Sequence, residues 1–99
     1  MNGIVNRIGS GLIAATPEWW TEATLRAEVK NAGDVVSISH SITSEQHKDP
    51  VVGSDDIFTA TRELQLFADS VGDPWVVFIM RVRLEEEQWK FKVHFEYAD

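Results

Sequence analysis

The chain has 99 residues, 43% of them hydrophobic and 25% charged, with 9 Lys and Arg against 16 Asp and Glu, a formal charge of −7. That is one domain, too apolar to be disordered and, burying only about 65% of its unfolded surface, too small for a deep substrate cavity. Its charge disfavours general binding to phosphate backbones, and the absence of Cys excludes disulfides, thiolate nucleophiles and Cys-based metal sites.

Periodicity divides the chain into six elements. Residues 2–15 read as a short amphipathic helix, with Ile4, Val5, Ile8, Leu12 and Ile13 at helical spacing. Gly9 and Gly11 each cost a helix about 1 kcal/mol, so packing must hold it in place. Asn6, Arg7, Gly9, Ser10 and Gly11 also break any leader-like apolar run, and no stretch approaches the ~18 residues of a membrane span. The Thr16-Pro17 step ends the helix, and Glu18-Trp19-Trp20 follows as a bulky loop or single turn.

Residues 22–30 alternate, with Ala23, Leu25, Ala27 and Val29 facing one way and Thr24, Arg26, Glu28 and Lys30 the other. Turn residues at 31–34 lead to a second strand over 35–43, with Val36, Ile38, His40 and Ile42 opposite Ser37, Ser39 and Ser41. The two strands predict a hairpin. Residues 44–53, carrying Pro50, read as a loop. Ser54 is an N-cap candidate, and Asp55 and Asp56 complement the dipole of a helix over 55–71. Its apolar spacing comes from Ile57, Phe58, Thr61, Leu64, Phe67, Ala68 and Val71, and Gly72 and Pro74 close it.

Residues 75–84 and 88–97 read as strands three and four, joined by Glu85-Glu86-Glu87. The fourth alternates strictly, with Trp89, Phe91, Val93, Phe95 and Tyr97 inward. The third is apolar on both faces in its first half, through Trp75, Val77 and Ile79. Those residues predict either cover by the N-terminal segment or the Trp19-Trp20 loop, or a patch for a partner or self-association. The order αββαββ predicts an α+β fold, a four-stranded, mainly antiparallel sheet with two helices packed on one face. Strand order stays open.

This arrangement sorts the charge. The polar sheet face would carry Arg26, Lys30, Arg81, Arg83, Lys90 and Lys92 against Glu28 and Glu96, leaving the acidity on helices, loops and turns. Two acidic concentrations stand out, one at Asp55, Asp56, Glu63, Asp69 and Asp73, the other at Glu85-Glu86-Glu87. They are ordinary solvated surface or a landing field for a basic protein, and such a field sets association rate and partner choice more than affinity.

Chemistry has thin support. His40 lies on an apolar strand face, His47 in a loop and His94 among lysines, without metal-ligand spacing. No phosphate-cradling glycine motif occurs. Ser37, Ser39 and Ser41 form a polar strand face rather than a triad. The Glu85–Glu87 carboxylates would sit exposed at a turn tip with no cleft around them. A small enzyme built on His40 or His94 is therefore the weakest of three function classes.

Several strings in order resemble a known family. Pro17-Glu18-Trp19-Trp20 precedes a strand ending Ala27-Glu28-Val29. Gly72-Asp73-Pro74-Trp75 leads into the second hairpin. Trp89-Lys90-Phe91-Lys92, Phe95-Glu96-Tyr97 and Asp99 close the chain. Together, over 17–99, they resemble the YezG-like immunity proteins of bacterial polymorphic toxin and contact-dependent inhibition systems. The resemblance implies a cytoplasmic antitoxin that binds the toxic C-terminal domain of a cognate effector one-to-one, by steric and electrostatic blockade, with no cofactor. It also implies that the toxin is a basic nuclease. Asp55, Asp56, Glu63, Asp69, Glu85, Glu86 and Glu87 are then the candidate toxin contacts. Direct nucleic-acid and membrane binding are not expected, and a weak homodimer is allowed. The alternative from another class is a non-enzymatic adaptor or self-associating module using Trp75, Val77 and Ile79.

Overall fold

The computed structural model describes residues 2–33, 35–47, 51 and 53–97. The elements are α1 (Asn2–Ala15), β1 (Glu22–Ala32), β2 (Val35–Thr43), α2 (Asp55–Ser70), β3 (Val77–Glu85) and β4 (Gln88–Glu96). All pairings are antiparallel and the sheet order is β2-β1-β3-β4. The α+β class, the element order and the placing of both helices on one sheet face agree with the sequence pattern. The open question of strand order resolves with β3 beside β1, so β2 and β4 are the two edges.

Period-two alternation explains the core. Leu25 is flanked in register by Ile42 and Met80, and Met80 by Val93, which puts one apolar row under the helices. Ile8 and Leu12 of α1 and Ile57, Ala60 and Leu64 of α2 close on it, all fully buried. The two glycines that weaken α1 sit where it comes closest to its neighbours. A Cβ on Gly9 would lie 2.4 Å from the Phe91 ring, and one on Gly11 would lie 3.0 Å from Ile57. Tertiary packing thus outweighs the helix propensity lost at both positions.

Three expectations need correction. Trp75 precedes β3 rather than opening it. It turns to the helix side, with ring centroids 6.0 Å from Phe78 and 6.4 Å from Phe95. Val77 and Ile79 do face away from the helices, but neither α1 nor Trp19-Trp20 covers them. Val77 is buried with Glu28 and Glu96 beside it in register, and Ile79 is half-buried between Arg26 and His94. Long side chains from adjacent strands shield apolar neighbours in this way. Finally, Phe91 and Tyr97 are substantially exposed because β4 is an edge. Asp34, Lys48, Asp49, Pro50 and Asp99, which the sequence placed in turns, a loop and the closing motif, lie outside the described residues.

The β3–β4 turn carries local strain. Glu86 and Glu87 have φ of 51° and 66°, and Glu85 pairs with Gln88, so the connection has type I′ form. Residues with a Cβ pay about 1–2 kcal/mol each in that region. The double change Glu86→Asn with Glu87→Gly should therefore stabilise the fold by about 1–2 kcal/mol, seen as a higher urea midpoint at unchanged slope.

Candidate functional site

The acidic surface is built on α2. The Ser54 side chain caps it by accepting from the Ile57 N–H at 3.4 Å, which places Asp55 and Asp56 in the first turn. At 3.6 residues per turn the predicted contacts then divide between two faces. Asp55 and Asp69 share a face with Phe58, Arg62 and Leu66. Asp56 and Glu63 share one turned toward α1, where they line a cleft of about 370 Å³ with Arg7 and Thr59.

Glu63 is paired within the molecule. Its carboxylate takes a hydrogen bond from the Arg7 guanidinium across the α1–α2 junction. Asp55, Asp56 and Asp69 are exposed and make no side-chain hydrogen bond or ion pair among the described residues. Glu85, Glu86 and Glu87 are exposed at the β3–β4 tip. No described hydrogen bond or ion pair joins that tip to α2, so the seven predicted contacts form two groups, one member of which is already engaged.

The helix and its C-cap also expose apolar side chains, three of which, Phe58, Phe67 and Val71, the spacing had assigned to the apolar stripe. Phe58, Leu66, Phe67 and Val71 are 37%, 53%, 39% and 60% accessible. The signal was present: apolar positions at 57, 58, 61, 64, 67, 68 and 71 wrap too far round a helix for one buried stripe. Carboxylates therefore alternate here with apolar groups, as at the rim and centre of protein–protein interfaces.

The opposite sheet face is the basic one. Arg26 and Lys30 are spent on Glu28, whose carboxyl the Arg26 hydrogen bond and charge, with Lys30, hold below its ordinary range. Arg81 reaches Glu45 at 3.6 Å. Arg83, Lys90 and Lys92 have no carboxylate partner among the described residues, and Arg81 and Arg83 stand directly opposite Lys92 and Lys90. Such like-charge pairs weaken a ladder by a few tenths of a kcal/mol to about 1 kcal/mol each.

Two buried polar centres escaped the sequence pattern. Glu22 is 5% exposed and its Oε1 accepts from the Ser44 hydroxyl and the N–H groups of Glu45 and Gln46, which ties the loop after β2 to the start of β1. Trp20 is buried and stacks on His47 at 5.2 Å. A second histidine contact was half-legible. His40 Nε2 lies 2.7 Å from Thr61 Oγ1. The Thr61 hydroxyl also lies 3.0 Å from the Phe58 carbonyl, so it can bond to either the ring or its own helix backbone.

Burial lowers the His40 pKa from its ordinary 6.5, with the Ile38 backbone acting more weakly the other way. The unfolded chain then binds a proton first as pH falls. His40 should contribute a loss of stability that begins below pH 6.5 and levels off below the native pKa. Urea midpoints from about pH 7.5 to 5 should fall less in His40→Gln than in the wild type.

Among the described residues, no three His, Asp or Glu side chains converge as a metal-binding group, and no helix is long and apolar enough to cross a membrane. No known family model matches the chain, and no curated protein matches it in sequence. The resemblance to YezG-like immunity proteins therefore rests on the strings quoted above.

Proposed function

We propose that the chain is an immunity protein, a stoichiometric inhibitor that binds a basic toxin domain, of which a nuclease is the leading type. The observation that carries this reading is the exposed carboxylate set Asp55, Asp56 and Asp69 on α2, without an ion-pair partner among the described residues and interspersed with exposed Phe58, Leu66, Phe67 and Val71. A cationic surface evolved to attract phosphate would be drawn to that field and could then bury the apolar groups. Inhibition on this reading is occlusion, with no cofactor and no covalent step, and takes place in the cytoplasm where the toxin arrives.

The competing adaptor reading used Trp75, Val77 and Ile79 as a sticky patch, and two of those three are buried. The test is co-expression with the variable C-terminal domain encoded by the adjacent gene. Rescue of growth and a one-to-one complex on light scattering are expected. A toxic neighbouring domain that neither binds nor is neutralised would overturn the reading.

A further inference from the structure

The two sheet edges are guarded differently. β4 carries Lys90, Lys92 and Glu96, charges that discourage pairing with another strand. β2, Val35–Thr43, has no charged residue and no proline. Its free hydrogen-bonding groups can be assigned. Val29 sends its N–H to the Val76 carbonyl on the far side of β1, so the Val29–Ile38 pair is not hydrogen-bonded. Ile38 therefore aims its N–H and C=O away from β1, and by period two so do Val36 and His40. Among the described residues, that edge is engaged only at Ile42, through a bridge to Val51.

Beside this row lies a groove of about 450 Å³, lined by Val36, Ser37, Ile38, His40, Phe58 and Arg62. Phe58 and Arg62 fix which face of α2 overlooks it, and Asp55 and Asp69 lie on that face toward either end of the helix, about 21 Å apart along its axis. We propose that β2 accepts an added strand: an extended segment of a partner protein that alternates small apolar and polar residues and carries Lys or Arg at its ends. The backbone groups of Val36, Ile38 and His40 supply the ladder. The groove takes alternate apolar side chains, and Asp55 and Asp69 take the terminal cations. The basic character of the partner rests on the function proposed above, whereas the open edge does not.

The probe is a fluorescein-labelled peptide of about nine residues, matching β2 in length, with alternating valine and serine and lysines at both ends. Its twin carries glutamates instead. Two variants of the protein test the edge. Val36→Pro removes an outward N–H without touching the β1–β2 ladder, and Val36→Lys places a guard charge at an exposed position. Near-ultraviolet dichroism checks that both stay folded.

At low salt the lysine peptide should bind at least ~10-fold tighter than its twin, and each variant should weaken it ~10-fold or more. Unchanged binding to both variants, or equal binding of the twin, would overturn the proposal. So would a dimer in sedimentation that both variants dissolve, since the occupant would then be a second copy. Co-expression separates the two readings. Toxin rescue that survives Val36→Lys removes the edge and leaves the inhibitor. Peptide binding without any rescue does the reverse.

Discussion

Converting Asp55, Asp56 and Asp69 to lysine should slow association with a basic toxin domain by about 10- to 100-fold at low ionic strength. Each reversal shifts the charge by two units, which takes −7 almost to neutrality while moving all of the change onto one helix. Dissociation should change much less, because carboxylates at an interface rim steer encounter more than they hold the complex. The deficit should shrink as salt is raised and the Debye length falls to a few ångströms. Glu63 is left out by design, since reversing it would set two cations against each other at the α1–α2 junction. Asp55 and Asp56 also complement the helix dipole, so the variant should lose about 1–2 kcal/mol of stability. The corresponding Asn variants separate the contributions. They keep the fold closer to wild type and should still slow binding. A stopped-flow association rate that does not respond to these changes would remove α2 as the landing surface.

The largest loss of stability should come from Phe78→Ala, about 3–5 kcal/mol. Phe78 is fully buried and sits at the centre of an aromatic group, 6.0 Å from Trp75 and 5.2 Å from Phe95 between ring centroids. It is flanked in register by Ala27 on one side and Phe95 on the other. Alanine at both 27 and 78 would leave a void that nearby side chains cannot fill without leaving their rotamers. A domain of this size has only about 5–15 kcal/mol in total. Its melting temperature should therefore drop by about 15–30 °C. Phe91→Ala, at a partly exposed edge position against Gly9, should cost distinctly less, and calorimetry on the pair checks the ranking.

Local patterns made most of the fold legible. Alternation at 22–30 and 88–97 needs only neighbouring residues, and so do the Ser54 cap and the stop at Gly72. Strand order could not be read that way, because β3 finds β1 across more than forty intervening positions and either side of the first hairpin was open to it. The apolar run from Trp75 to Met80 hid where the strand begins, since no polar residue breaks it. Glu22 gave no signal at all. Its burial depends on the 44–46 backbone arriving from a different element. Of the candidate surface, the carboxylates were visible from charge alone. The pairing of Glu63 with Arg7, the exposed Phe58 and Leu66 beside Asp55 and Asp69, and the unguarded β2 edge all required two elements to be placed together.

The position of β1 in the middle of the sheet sets a timetable for synthesis. Once Thr43 has been made, the first hairpin can close, but the other flank of β1 must wait until Val77 and its successors emerge. At about 5–20 residues per second, that interval lasts roughly 2–7 s. For those seconds the nascent chain holds Leu25, Ala27 and a row of unsatisfied amides open to any passing strand. Translation is thus the period in which this protein is most exposed to mispairing, and a pause on the ribosome between the two hairpins would lengthen it.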